Sequence, residues 1–188
     1  IKNYGTNDAL NLSQSDYYTT FQNFSVDGSG NASSRDGISL YDSTAVTGNN
    51  VAYSQFFNVY SRNNGRHGLY HRQAWATRYA QCQFTDNGGL GVYIDTESGD
   101  AGSANGVSFF QCDSRHNGGT TSGFGSDAGG VKINGAAGVY WHGGIVEANN
   151  GFAFYIGNNT QAVRNVVIDS VYFEYNGWDV AIGGTVYV

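Results

Sequence analysis

The chain has no proline, only two cysteines, and no metal-ligand spacing around them. Two cysteines alone do not support a zinc site. Glycine-rich linkers are usually rich in proline and poor in aromatic residues, whereas this chain combines 28 glycines with 14 tyrosines, 11 phenylalanines and 3 tryptophans. The composition therefore excludes a disordered linker and predicts a folded β protein.

Basic residues are also scarce, with nine Lys and Arg against fifteen Asp and Glu and a net charge of −6. The absence of a basic cluster argues against a nucleic-acid partner.

No apolar run approaches the ~20 residues of a membrane helix, and the start lacks the pattern of a signal peptide. Residues 1–188 suit a single domain. A start without Met and an end on the alternating "GGTVYV" predict a fragment of a longer polypeptide.

An Asn-Gly pair followed by alternating apolar residues recurs at unequal intervals. Unequal spacing with a constant local pattern predicts coils of one architecture that carry insertions of different length. An Asn or Gly at each turn suits a left-handed backbone conformation, and stacked Asn amides ~4.8 Å apart would bond to one another. The asparagines of these pairs are Asn64, Asn87, Asn117, Asn150 and Asn176.

Each coil reads as two strands, the Asn-Gly turn, a third strand and a variable loop. This order predicts an all-β fold, a parallel β-helix of about six coils. The coils are clear in residues 37–188, and residues 1–36 form a first coil or irregular structure. The positions five residues before each asparagine predict one inward column, made of Val59, Cys82, Cys112, Ile145 and Val171.

Cys82 and Cys112 occupy the same column on consecutive coils, a spacing that permits a disulfide. Two reduced thiols that pack as small core hydrophobes are the favoured interpretation.

With this asparagine pattern and its alternation of long loops and short turns, the sequence resembles right-handed parallel β-helix proteins of the pectate-lyase-like superfamily. That superfamily includes bacteriophage tailspikes that bind and cut surface polysaccharides. High Gly, Asn, Ser and Tyr content, no proline and few lysines favour the tailspike branch. The resemblance implies a homotrimer, a location on a virion tail or otherwise outside the cell, and a bacterial capsule or lipopolysaccharide as partner.

The loop "YIDTESGDAGSANG" contains Asp95, Glu97 and Asp100, and the resemblance implies that it borders the carbohydrate groove. Loops on a rigid scaffold commonly carry catalytic residues. We assign Glu97 as the general acid and Asp95 or Asp100 as the base that positions water. A solvated acidic loop is the alternative. Such a loop also suits Ca²⁺, although no RTX-type repeat supports it, and we predict no metal site and no cofactor.

Residues on successive coils are predicted to line the same groove and bind substrate. His142 follows the aromatic residues Tyr140 and Trp141, which suits sugar stacking and proton transfer, and core packing is the alternative role for this aromatic stretch. The predicted substrate-binding residues are Arg78, Ser108, Tyr140, Trp141 and His142.

Glu147 and Glu174 are reserve catalytic candidates on adjacent coils. They lie three and two positions before their asparagines, and this offset predicts opposite orientations. Glu174 shares its column with Arg62 and Arg115, so an exposed, weakly paired charge is the alternative.

Three functions remain open: glycoside hydrolysis, polysaccharide lysis, and glycan binding by a non-catalytic shaft. A lyase needs cations to neutralise a uronate carboxylate, and the chain has only Lys2 and Lys132 besides its arginines. Two carboxylates that converge at about 5–10 Å beside exposed aromatic residues would favour a hydrolase.

Overall fold

The computed structural model describes residues 1, 7–12, 18–28, 35–40, 51–72, 74–95, 104–119, 128–157, 163–183 and 186–187. These residues form strands and turns, and they contain no helix that could span a membrane. The strands in this part of the chain are β1 (Leu10–Leu12), β2 (Thr20–Asp27), β3 (Ile38–Leu40), β4 (Val51–Ala52), β5 (Gln55–Arg62), β6 (Leu69–Arg72), β7 (Ala74–Trp75), β8 (Arg78–Ala80), β9 (Gln83–Thr85), β10 (Leu90–Asp95), β11 (Ala104–Phe110), β12 (Asp113–Arg115), β13 (Gly129–Ile133), β14 (Ala136–His142), β15 (Ile145–Glu147), β16 (Phe152–Ile156), β17 (Val163–Asp169), β18 (Tyr172–Glu174), β19 (Trp178–Ile182) and β20 (Val186–Tyr187).

The strands form two sheets, and every strand pairing in the described residues is parallel. A seven-stranded sheet has the order β1-β3-β6-β10-β13-β16-β19. The thirteen-stranded sheet contains the remaining strands, with β5-β8-β11-β14-β17 along its middle. Because the chain visits the two sheets in turn, equivalent strands stack on one another. This architecture confirms the predicted all-β, parallel arrangement and is consistent with a β-helix.

Inward-facing asparagine side chains, buried except for the partly buried Asn176, bond to one another from one turn to the next. Nδ2 of each residue donates to Oδ1 of the following one, at 2.8, 2.8, 3.0 and 3.0 Å. The fourth position is filled by Asn149, whereas Asn150 is exposed, so the choice of Asn150 from the sequence was wrong by one residue. The residues in this hydrogen-bonded series are Asn64, Asn87, Asn117, Asn149 and Asn176.

The same one-residue shift changes the predicted inward column. Ile145 pairs with Tyr172 rather than with Val171, so Gly144 takes the position next to Cys112. Any Cβ on Gly144 would clash with the Cys112 carbonyl oxygen, and the glycine has φ of +86°. Glycine is therefore required here because of both space and backbone conformation.

The left-handed residue at each asparagine turn is the one before the asparagine. These residues have φ between 51° and 56°, which places one outward side chain at the bend while the following Asn points inward. The sequence predicts this conformation at the Asn or Gly of each turn, whereas the structure has it one residue before the Asn. The left-handed residues are Asn63, Asp86, His116, Ala148 and Tyr175.

A column of stacked aromatic rings runs through the core beneath the thirteen-stranded sheet. Its ring centroids are 4.9, 4.9, 4.7 and 4.5 Å apart in sequence order, and the rings are nearly parallel. Stacking of this kind adds to the stabilisation from apolar burial. The column consists of Phe21, Phe56, Tyr79, Phe109 and Trp141.

Cys82 and Cys112 are free and buried, as the favoured interpretation predicted. The Cys82 thiol lies 3.5 Å from the carbonyl oxygen of Phe56, and that of Cys112 lies 3.5 Å from the carbonyl oxygen of Phe110. Both cysteines belong to the hydrophobic core.

His71 is a fully buried polar side chain of the core. Its Nδ1 lies 2.9 Å from the Tyr79 hydroxyl and its Nε2 lies 3.2 Å from the Ala74 carbonyl oxygen. A carbonyl oxygen only accepts, so Nε2 carries the proton and Nδ1 accepts from Tyr79. Burial lowers the pKa of His71 to about 4, and the neutral ring is a structural part of the core.

Candidate functional site

The outer surface of β5, β8, β11, β14 and β17 carries two adjacent columns of side chains, which we call the aromatic face. In the first column Arg78 pairs with Ser108, and Ser108 pairs with Tyr140. The structure therefore brings together three of the predicted substrate-binding residues on neighbouring strands. The full first column is Gln55, Arg78, Ser108, Tyr140 and Val167.

The second column of the aromatic face lies two residues further along each strand. It contains the predicted residue His142, together with aromatic and acidic residues that the sequence analysis missed. Phe57 is 44% exposed, Phe110 is 39% exposed and Tyr140 in the first column is 44% exposed. The full second column is Phe57, Ala80, Phe110, His142 and Asp169.

His142 and Asp169 form a surface pair at the end of the second column. His142 Nδ1 lies 2.8 Å from Asp169 Oδ2, and the Ser170 hydroxyl donates to Asp169 Oδ1 at 3.0 Å. Hydrogen bonds from Ser170 and from His142 lower the pKa of Asp169, which favours its ionised form. This contact orients the imidazole so that Nε2 is the ring nitrogen that remains for a ligand.

Trp141 does not fit its predicted role as a substrate contact. The side chain is 1% exposed, stacks on Phe109, and donates from Nε1 to the Gly143 carbonyl oxygen at 3.1 Å. Side chains alternate between the two faces of a strand, so Trp141 points inward between Tyr140 and His142. Trp141 supports the aromatic face from below but does not contact a ligand on it.

The predicted acidic loop is only partly described. Glu97 and Asp100 lie outside the described residues. Asp95 is the last residue of β10 in the seven-stranded sheet, where it accepts from Asn134 Nδ2 at 3.0 Å and from the Tyr70 hydroxyl at 3.4 Å. Asp95 therefore belongs to a different sheet from Arg78, Ser108, Tyr140 and His142, and the single groove predicted for these residues is not formed through Asp95.

Glu147 and Glu174 are direct partners on adjacent strands β15 and β18. Their opposite orientation was therefore predicted wrongly, because Asn149 rather than Asn150 sets the alignment. Arg115 is the partner of Glu147 on the other side, and its guanidinium lies 3.5 Å from Glu147 Oε1 and 3.4 Å from Asp113 Oδ2. The two glutamates form the end of a charged column.

The surroundings of the two glutamates include the half-buried carboxyl group of Asp113 and the exposed phenol of Tyr172. Burial raises the pKa of Asp113, and Arg115 opposes this effect. The Tyr172 hydroxyl donates to Glu174 Oε2 at 3.0 Å, and this hydrogen bond raises the pKa of Tyr172. The left-handed Ser170 separates this group from Asp169, so it flanks the aromatic face rather than lying on it.

Comparison with known proteins found no family model that matches the chain and no matching curated protein. The geometry of the aromatic face and of the paired glutamates is therefore the basis for the function proposed below.

The described residues contain no group of three or more His, Cys, Asp or Glu side chains arranged to hold a metal ion.

Proposed function

We propose that this chain forms a right-handed parallel β-helix that recognises a bacterial surface polysaccharide on its aromatic face. The observation that supports recognition is the register of the face, which sets exposed aromatic rings beside hydrogen-bonding side chains on consecutive strands. The continuous parallel pairing and the bonded asparagines support the β-helix.

The chemistry of the aromatic face matches that of a sugar chain. Apolar faces of sugar rings pack against aromatic rings, and sugar hydroxyls need donors and acceptors at the ring edges. Phe110 and Tyr140 supply the rings, while Arg78, Ser108 and His142 supply the polar groups. Since the strands hold these residues at fixed spacing, little conformational entropy is lost on binding.

Binding is tested with a panel of purified bacterial capsular polysaccharides and lipopolysaccharides by isothermal titration calorimetry. Tyr140→Ala should weaken the binding of any positive glycan by about tenfold, the scale of one lost aromatic contact with its area burial. Tyr60→Ala is the matched control, because Tyr60 is an exposed tyrosine of β5 beyond the aromatic face. Equal effects of the two variants, or no binding to any glycan by the unaltered protein, would contradict the proposal.

A second candidate function is hydrolysis of the same polysaccharide by Glu147 and Glu174. Neighbouring strands lie ~4.8 Å apart, and a retaining glycosidase places its two carboxyl groups about 5–5.5 Å apart. The register of Glu147 with Glu174 therefore supports a nucleophile and an acid/base on adjacent strands. Paired carboxylates beside exposed aromatic residues are the arrangement expected of a hydrolase. Non-catalytic binding is the alternative, because the left-handed Ser170 separates the glutamates from the aromatic face.

Release of reducing ends from a bound polysaccharide distinguishes the two functions. Glu147→Gln and Glu174→Gln should each lower the release rate by at least about 100-fold and leave binding unchanged, because each removes one group needed for proton transfer or attack. Asp86→Asn is a control at an exposed turn. If Glu97→Gln abolished release instead, the acidic loop would be the site, and a bound glycan that is never cleaved would identify a binding module.

The resemblance to tailspikes further leads us to propose that the protein is a homotrimer on a virion tail, outside the host cell. Sedimentation of the protein as a monomer would exclude that assembly.

A further inference from the structure

The second column of the aromatic face contains a gap between two exposed aromatic rings. Phe57 and Phe110 are separated by Ala80, which is their partner on the intervening strand β8. Two strand spacings place the backbones of Phe57 and Phe110 about 9.6 Å apart. The methyl group of Ala80 fills little of this space, so the three residues form a slot with two aromatic walls and a small floor.

The width of the slot suits one sugar ring. Carbon atoms in favourable contact lie about 3.5–4.0 Å apart, so a ring held between two walls needs about 7–8 Å between them. The spacing of Phe57 and Phe110 meets that need, whereas adjacent aromatic residues at a single strand spacing would leave no room. Ala80 is therefore the residue that opens the slot.

The charge beside the slot is positive. The Arg78 guanidinium carbon lies 5.7 Å from the centre of the Phe110 ring, and Gln55 and Ser108 flank Arg78 in the first column. Within the described ranges, Arg78 has no carboxylate at salt-bridge distance. Three other arginines, Arg62, Arg66 and Arg115, each contact an aspartate or a glutamate.

An arginine that has no acidic partner among the described residues, in a chain of net charge −6, is complementary to an anionic ligand. Arginine binds carboxylates with two parallel hydrogen bonds, and stacking on an aromatic ring leaves its edge open for them. One guanidinium neutralises one carboxylate. This stoichiometry fits a glycan with an acidic sugar among neutral ones, and does not fit a polyuronate.

We propose that the slot of Phe57, Ala80 and Phe110 holds one carboxylate-bearing sugar ring, and that Arg78 binds its carboxylate. The inference rests on the proposed recognition of a polysaccharide and names the chemical class of that polysaccharide.

The test uses each acidic capsular polysaccharide that the unaltered protein binds, in its native form and after chemical reduction of its carboxyl groups to alcohols. Reduction should weaken binding by about tenfold, the scale of one charge-assisted hydrogen-bonded contact at an exposed site. Arg78→Gln should weaken binding of the native polysaccharide by about the same factor and that of the reduced form by clearly less, so that the variant no longer distinguishes the two forms by about tenfold. Arg62→Gln, on the neighbouring surface, is the matched control and should change neither.

Ala80→Leu tests the slot independently of charge. Leucine fills the floor, so this variant should weaken binding of both the native and the reduced polysaccharide, and circular dichroism verifies that it remains folded.

The outcomes separate this inference from the proposed function. Binding only to neutral glycans, equal binding of native and reduced forms, or full binding by Arg78→Gln would overturn the carboxylate assignment while recognition of a glycan stands. Full binding by Ala80→Leu would overturn the slot. Binding to no polysaccharide at all would overturn both proposals.

Discussion

Trp141→Ala is expected to lower the free energy of unfolding by about 4 kcal/mol, within the range for a buried tryptophan replaced by alanine. The indole stacks on Phe109 at 4.5 Å and meets the Phe154 ring edge to face at 5.4 Å. Its Nε1 also donates to the Gly143 carbonyl oxygen. The substitution therefore leaves a cavity at the end of the aromatic column and removes a buried hydrogen bond.

Tyr140→Ala is the matched control for this prediction, because Tyr140 is the preceding residue of the same strand and points outward. It should change the free energy of unfolding by less than about 1 kcal/mol, as is usual for surface substitutions. Urea denaturation followed by circular dichroism measures both variants. A smaller loss for Trp141→Ala than for Tyr140→Ala would show that the two side chains have exchanged faces.

Asn149→Ala is expected to lower the free energy of unfolding by about 3 kcal/mol. The side chain donates to Asn176 Oδ1 and to the Ser114 carbonyl oxygen, both at 3.0 Å. Its Oδ1 accepts from the backbone N–H and from Nδ2 of Asn117, at 3.1 and 3.0 Å. Alanine removes all four bonds and leaves buried partners unsatisfied, which costs more than the bonds themselves contribute.

Asn150→Ala provides the comparison within the same pair of asparagines. Asn150 is exposed and its Nδ2 donates to the Gly119 carbonyl oxygen at 2.9 Å, so its loss should cost less than about 1 kcal/mol. Thermal and urea unfolding of the two single variants would show directly which substitution causes the larger loss of unfolding free energy. A larger effect for Asn150→Ala would show that Asn150, as predicted from the Asn-Gly pairs, and not Asn149 occupies the fourth inward position.

The strand pattern and the parallel stacking were predictable because inward residues alternate with outward ones in each coil. The error at the fourth turn arose from "NNG", in which either asparagine precedes a turn and the second is followed by glycine. Ile145 strengthened the wrong choice, since an apolar residue fits an inward column better than Gly144 does. Because of the same one-residue shift, the pairing of Glu147 with Glu174 was not predicted.

The candidate site was only partly predictable for related reasons. Tyr140 and Trp141 look alike in the sequence as neighbouring aromatic residues of one strand, and only their opposite orientations decide that Tyr140 is exposed and Trp141 is buried. The contact between His142 and Asp169 joins residues 27 positions apart, and no local pattern marks it. Alternation along β17 could have placed Asp169 outward, but its partner depends on the register between β14 and β17.

Two left-handed residues at a fixed distance from one another bracket the short stretch of strand before an asparagine turn. Asn58 and Asn63, Gln81 and Asp86, and Gln111 and His116 are each five positions apart. The connections from the asparagine turn to the next strand differ in length, since Leu90 follows Asn87 closely but Gly129 follows Asn117 after a long insertion. An inserted residue between two such left-handed residues would therefore misalign every side chain that follows it. Whole loops can be exchanged elsewhere without changing the alignment of the strands. Sequence variation between related chains should accordingly accumulate by loop replacement and by outward substitutions, with the inward-facing residues of the strands preserved.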